Sequence, residues 1–65
     1  MNHTTLIKIP VLVSGALGKM GSEVIKTIVN SDQFLLVGAI DTNSDMQGLD
    51  IGEAIGIKKL DISIT

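Results

Sequence analysis

The chain has 65 residues, of which 45% are apolar and 18% charged, with seven glycines and one aromatic residue. This composition is typical of one small globular α/β unit and excludes a disordered chain. The absence of cysteine excludes disulfides and thiolate metal sites. A net charge of −2, with only five basic residues, creates no surface that would attract a nucleic-acid backbone. Nucleic acid is therefore not an expected partner.

The amino-terminal segment and the hydropathy of the chain give an expectation for its location. Residues 1–5 lack the charged start and apolar core of a signal peptide, and no apolar run approaches the length of a membrane span. We therefore expect a cytoplasmic protein with no membrane partner. His3 has no neighbour at metal-ligand spacing, so we expect it to be disordered and to have no catalytic or metal-binding role.

The residues from 9 to 41 predict a strand, a helix and a second strand. Ile9–Ser14 is an apolar, β-branched run that stops at Gly15, which is typical of a strand buried on both faces. A helix is predicted from Lys19 to about Asn30, and a second buried strand over Leu35–Ile40, ending at Asp41. Five apolar residues at helical spacing would form the buried helix face: Met20, Val24, Ile25, Ile28 and Val29. A helix between two strands makes those strands parallel neighbours.

The remaining residues predict less regular structure. Residues 42–45 form a polar loop, and residues 48–56 contain too many glycines for more than one helical turn. We expect the acidic residues of this region to be solvated, because their spacing fits no metal site: Asp45, Asp50 and Glu53. Leu60–Thr65 alternates apolar and polar residues, which predicts the start of a third strand.

Together these elements predict the amino-terminal β-α-β part of a Rossmann-type, doubly wound parallel sheet. A parallel sheet needs helices on both faces, and one long helix can cover only one of them. We therefore expect a truncated domain with one exposed sheet face. Such a chain, on its own, would be partly unfolded or prone to aggregate.

The loop between the first strand and the helix predicts the function. It reads Gly15-Ala16-Leu17-Gly18-Lys19-Met20-Gly21. A pyrophosphate is held best where unpaired backbone N–H groups and the positive end of a helix dipole point at it, and this position supplies both. Gly15 permits the sharp exit from the strand, Gly18 lets phosphates approach, and Gly21 lets the helix lie close to the strand. The alternative interpretation of the glycines is a tight turn without a ligand.

Asp41 adds a second element of a dinucleotide site. It follows Gly21 by about twenty residues and ends the second strand, where a carboxylate accepts hydrogen bonds from the adenosine ribose. An acid here favours NAD, because it repels a 2′-phosphate. Lys19 leaves NADP possible, because its side chain can reach that phosphate or can simply be solvated. Met20 is a candidate for either cofactor contact or core packing.

The same residues resemble a known family. Val11–Gly21, Val37–Asp41 and Gly48–Glu53 are similar to the start of the 4-hydroxy-tetrahydrodipicolinate (dihydrodipicolinate) reductases. The family's loop usually reads G-A-x-G-R-M-G, so Lys19 replaces an arginine and keeps its charge, while Thr42 stands where a basic residue is common. The resemblance implies a cofactor-binding set within this chain: Gly15, Ala16, Leu17, Gly18, Lys19, Met20 and Asp41. It leaves the choice between NAD and NADP open.

The resemblance also implies an activity and an assembly. The activity is hydride transfer from NAD(P)H to a dihydrodipicolinate precursor in diaminopimelate and lysine biosynthesis, by a homotetramer. Residues 1–65 would be a partial NAD(P)-binding domain, with the substrate-binding and catalytic domain, and hence every catalytic residue, outside this chain. Two alternatives stay open from the residues alone. One is an extended short-chain dehydrogenase or epimerase, and the other is a non-catalytic NAD-sensing module.

Overall fold

The computed structural model describes residues 7–65 and contains the predicted strand–helix–strand unit. The first strand, β1, spans Ile9–Ser14, the helix α1 spans Lys19–Val29, and the second strand, β2, spans Phe34–Ile40. A short 3₁₀ turn follows at Ser44–Met46, and a single-turn helix, α2, at Ile51–Ala54. The β-α-β prediction is confirmed, as is the single helical turn within residues 48–56. The expectations for His3 and residues 1–5 lie outside the described residues.

β1 and β2 form a parallel pair with one irregularity. Val11 pairs with Leu36, but Leu12 pairs with Gly38, so Val37 is an extra residue in β2 that bulges out of the ladder. The bulge shifts the alternation of side chains and lets Val13 and Ala39 share the buried face. Gly38, a glycine inside the strand pattern, is the signal that could have indicated this bulge.

The third strand begins later than predicted. Only Ile64 and Thr65 pair with β2, on the edge opposite β1: the Thr65 N–H donates to the Ala39 carbonyl (3.0 Å), and the Asp41 N–H donates to the Thr65 carbonyl (3.0 Å). Residues 60–62 are not paired with β2, because they turn around the carboxylate of Asp50. The order of the paired segments places β2 between its two parallel neighbours.

The core lies between the sheet and α1 and continues under α2. Its buried members are Val13, Ala16, Ile25, Ile28, Leu36, Ala39, Ile51 and Ile64. The predicted helix face was partly wrong, since Met20 is 80% exposed and Val24 42% exposed. Both residues line a shallow apolar groove together with Val11 of β1 and Phe34 of β2.

The opposite face of the sheet is uncovered within residues 7–65. Leu12, Leu35 and Val37 are each about half exposed (55%, 50% and 53%). The interpretation of both strands as buried on two faces is therefore wrong for the described residues. The companion expectation that one face stays exposed is confirmed, because α1 is the only long helix described and it covers the other face.

Candidate cofactor-binding site

The glycines of the loop between β1 and α1 are required by its backbone geometry. Gly15 has a φ of 72°, a left-handed conformation that side chains rarely adopt. A Cβ on Gly21 would overlap the Gly15 carbonyl oxygen and lie 2.8 Å from its carbon. A Cβ on Gly18 would lie 3.3 Å from the same oxygen. The loop thus brings α1 directly against the end of β1, as predicted for Gly21.

The first N–H groups of the loop are used to hold its shape. The Ala16 N–H donates to the Ile40 carbonyl (3.0 Å), which ties the loop to the end of β2. The Gly18 N–H donates to the Gly15 carbonyl (3.0 Å), which closes a turn, and Gly18 then caps α1 without any side-chain hydrogen bond. Because Gly18 has no side chain, the N-cap residue supplies no acceptor for the first N–H groups of α1.

The next three N–H groups are available to a ligand. The amides of Lys19, Met20 and Gly21 donate to no acceptor among residues 7–65. They lie at the positive end of the α1 dipole, where backbone donors attract an anion. The side chains of Lys19 and Met20 are exposed beside them, so Met20 is not core packing in the described chain. This geometry fits a pyrophosphate.

Asp41 lies at the same edge of the sheet as the loop. Its Oδ2 accepts a hydrogen bond from the Leu17 N–H (2.9 Å), and its Oδ1 accepts one from the Asn43 N–H (3.0 Å). These two donors, the Leu17 amide first, lower the pKa of Asp41 below its ordinary value. Asp41 is therefore an ionised acceptor at neutral pH. The structure brings the glycine loop and Asp41 together, as the β-α-β topology requires.

Gln47 stabilises the loop that follows Asp41 and was missed in the sequence. Its side-chain Nε2 donates to the Asp41 carbonyl (2.7 Å) and to the Asn43 carbonyl (3.2 Å). A glutamine in a polar loop carries no spacing pattern, so nothing in the sequence indicated this role.

Asp50 was also missed, because the expectation was a solvated acid. Its carboxylate caps α2 through the Glu53 N–H (3.0 Å) and also accepts from the N–H groups of Leu60 (3.0 Å) and Ile62 (3.0 Å). Partial burial raises the pKa of Asp50, but these amides together lower it below its ordinary value. The spacing of Asp50 and Glu53 before an apolar turn is a helix-capping pattern that could have revealed part of this role.

Residues 9–65 match the family described as "Dihydrodipicolinate reductase, N-terminus". The match covers both strands, the glycine loop and Asp41. The chain belongs to this family. The reductase-family loop therefore occurs here in the structural context in which a glycine pattern is specific, between a parallel strand and a helix.

Relatives within this reductase family are similar along most of the chain. A 4-hydroxy-tetrahydrodipicolinate reductase of Prochlorococcus marinus is 59% identical over 58 residues, which is 89% of this chain and 21% of the relative. The chain is also similar to two proteins with the same name. One, from a Synechocystis species, is 52% identical over 86% of this chain and 20% of the relative. The other, from a Synechococcus species, is 51% identical over 88% of this chain and 21% of the relative. The chain thus spans about a fifth of the length of these curated relatives.

Within residues 7–65, no group of three or more His, Asp or Glu side chains is arranged to hold a metal ion. The same part of the chain contains no helix that is long and apolar enough to cross a membrane.

Proposed function

We propose that this chain forms the nucleotide-binding part of an enzyme that reduces a dihydrodipicolinate, formed from 4-hydroxy-tetrahydrodipicolinate by loss of water, to tetrahydrodipicolinate, using NADH or NADPH. The observation that carries the proposal is the family match over residues 9–65. The matched region includes a loop with three N–H groups at a helix N-terminus that donate to no acceptor among residues 7–65. The reaction would be a step of diaminopimelate and lysine biosynthesis. The bound nicotinamide would supply the hydride.

The glycine loop would hold the pyrophosphate. The amides of Lys19, Met20 and Gly21 are the donors, and the α1 dipole adds a favourable field. The absence of a side chain on Gly18 would let the phosphates approach this first turn. Gly15, Ala16 and Leu17 would support the loop from the β1 side, through the backbone bonds described above.

Asp41 would bind the adenosine ribose. Each of its carboxylate oxygens has two acceptor directions, of which one is used by a backbone amide. The second direction on each oxygen is then available for a ribose hydroxyl. The lowered pKa supports this role, because the ionised carboxylate carries no proton and offers all of its lone pairs as acceptors.

The cofactor preference would be set by Asp41 and Lys19. Asp41 disfavours a 2′-phosphate, and Thr42 supplies no compensating cation. Lys19 is exposed at the start of α1 and carries the charge that could offset this phosphate. We therefore propose use of both cofactors, with the balance depending on Lys19.

The substrate would be bound elsewhere in the protein. We propose that residues 1–65 are part of the cofactor domain, and that the catalytic residues belong to a second domain outside this chain. The support is the length of the reductase relatives, of which the matched region covers about a fifth. No catalytic residue is assigned within residues 1–65.

The test is the consumption of NADH and NADPH by the full-length protein, with and without 4-hydroxy-tetrahydrodipicolinate. We expect substrate-dependent oxidation of both cofactors. The Asp41→Ala variant should raise the KM for NADH about 10-fold or more, because two hydrogen bonds to a charged group are lost. Asp32→Ala, which removes an exposed carboxylate at the opposite end of β2, should change nothing.

Two outcomes would contradict the proposal. Tight NADH binding without turnover would indicate a non-catalytic NAD-sensing module. Failure to bind either cofactor would remove the cofactor role from the glycine loop.

A further inference from the structure

Asp41 is connected to the glycine loop by a hydrogen bond within the chain. The bond from the Leu17 N–H to Asp41 Oδ2, at 2.9 Å, joins residues 24 positions apart. Asp41 is also fixed from its own side, through its N–H to the Thr65 carbonyl and its carbonyl to Gln47. Its carboxylate is therefore a fixed acceptor at the end of β2.

The Leu17 amide occupies a particular place in the loop. Of the three consecutive loop amides, Ala16 and Gly18 donate to backbone carbonyls, and only Leu17 donates to a side chain. The next amides, beginning at Lys19, are the unpaired ones. The bond to Asp41 thus fixes the peptide between Ala16 and Leu17, just before α1 begins at Lys19. A change of this peptide's orientation would change the direction in which the first turn of α1 presents its donors.

We propose that Asp41 is a positioning residue for the phosphate loop, in addition to its proposed contact with the ribose. Its carboxylate holds the Leu17 amide in the cofactor-free protein, so that the unpaired N–H groups of α1 are already oriented when the pyrophosphate arrives. This role rests on the proposed function, because it assumes that the loop binds the pyrophosphate. It predicts that the binding of the pyrophosphate and the binding of the adenosine ribose are coupled through the side chain of Asp41.

The two roles of Asp41 are compatible in space. A carboxylate offers about four acceptor positions, and the amides of Leu17 and Asn43 use one on each oxygen. The Leu17 bond is partly buried, whereas the Asn43 bond is exposed. Because water competes less for a partly buried bond, the Leu17 contact is the one expected to order the loop.

The first test measures amide hydrogen exchange in the full-length protein without cofactor. Peptides that contain residues 15–21 have the same sequence in the wild type and in Asp41→Ala, so they can be compared directly. We expect the amide of Leu17 to exchange about 5-fold faster in Asp41→Ala, since one hydrogen bond has been removed. Asp41→Asn, whose single carbonyl oxygen can serve only one of the two amides, should give a smaller increase. Asp32→Ala is the matched control and should leave this peptide unchanged.

The second test uses reduced nicotinamide mononucleotide, which has a phosphate but no adenosine ribose. If Asp41 positions the loop, Asp41→Ala should raise the KM for this mononucleotide about 3-fold or more. A residue that contacts only the ribose would raise the KM for NADH and leave that for the mononucleotide unchanged.

The results separate the failure of this proposal from the failure of the proposed function. Unchanged exchange of residues 15–21 in Asp41→Ala would overturn the positioning role, even if NADH binding were weakened. Faster exchange in a protein that binds neither NADH nor NADPH would leave the Asp41–Leu17 connection intact and remove its proposed purpose. Faster exchange together with weaker use of the mononucleotide is the expected result.

Discussion

Two glycine triplets in this chain serve opposite purposes. The first, Gly15, Gly18 and Gly21, forms the loop before α1, and the second, Gly48, Gly52 and Gly56, surrounds α2. The first triplet contains one left-handed glycine, Gly15 (φ of 72°), and the second contains two, Gly48 (85°) and Gly56 (87°). Each also contains a glycine with no room for a side chain, at Gly21 and Gly52.

The two loops differ in what accepts their N–H groups. In the first loop the amides at the start of α1 have no acceptor among residues 7–65, so they are available to an anion. In the second loop the carboxylate of Asp50 accepts from Glu53, Leu60 and Ile62. Similar glycine content therefore leaves backbone donors available in one place, where we propose a binding site, and accompanies a structural clamp in the other. The amide that the carboxylate reaches decides between these two results, because Asp50 accepts from Glu53 within α2, whereas Asp41 accepts from Leu17, before α1 begins.

The largest expected effects come from adding a methyl group at the two crowded glycines of the full-length protein. Gly21→Ala would collide with the Gly15 carbonyl, and Gly52→Ala with the Lys58 carbonyl. Each should lower the free energy of unfolding by about 2–3 kcal/mol. Only Gly21→Ala should also weaken NADH binding, by about 10-fold or more, because it displaces the first loop, which we propose holds the pyrophosphate. Denaturant unfolding and cofactor titration measure the two effects.

Gly48→Ala is the control for this pair. A Cβ at Gly48 meets no atom within 4 Å, but the residue must keep its φ of 85°. Gly48→Ala should therefore lower the free energy of unfolding by about 1 kcal/mol, because the backbone is strained although no atoms collide. If Gly21→Ala bound NADH as tightly as the wild type, the distinction between the two loops would be wrong.

Removing the carboxylate of Asp50 should affect stability and leave cofactor affinity almost unchanged. Asp50→Ala removes the acceptor of three backbone N–H groups, those of Glu53, Leu60 and Ile62. We expect Tm to fall by about 5–10 °C, as for the loss of a helix cap with two additional bonds. The Kd for NADH should stay within about 2-fold. Asp45→Ala, an exposed acid in the preceding loop, should change neither quantity.

The same carboxylate predicts a dependence of stability on pH. The folded-state pKa of Asp50 is lowered from an ordinary value of 3.8, so the folded protein releases this proton more readily than the unfolded chain. Its contribution is therefore fully present above about pH 4 and is lost as the pH falls through the folded-state pKa. As the pH falls below about 4, the wild type should therefore lose more stability than Asp50→Asn. Equal slopes of unfolding free energy against pH would contradict this.

The sequence predicted the parts of the molecule that depend on local patterns. β1 and α1 begin at the expected residues, because an apolar run, a glycine loop and a helical period follow one another without interruption. The nearness of Asp41 to the loop followed from topology alone, since parallel neighbouring strands end at the same edge.

Other features depend on contacts between distant residues and had no local pattern. The exposure of Met20 and Val24 depends on which distant residues lie opposite them, and here they line an open groove with Val11 and Phe34. The role of Asp50 was hidden because two of its partners, Leu60 and Ile62, lie 10 and 12 residues away. A capping pattern predicts the Glu53 contact but not the other two.

The smallest expected effect concerns the one cationic side chain of the first loop. Lys19→Ala should raise the KM for NADPH about 3- to 10-fold and leave the KM for NADH within about 2-fold, because only NADPH carries a 2′-phosphate near Asp41. Lys26→Ala, which removes a lysine from the last turn of the same helix, is the matched control. An equal rise for both cofactors would mean that Lys19 contacts the pyrophosphate that they share. In that case the first loop would bind phosphate through a side chain as well as through its backbone, and its contrast with the Asp50 loop would be weaker.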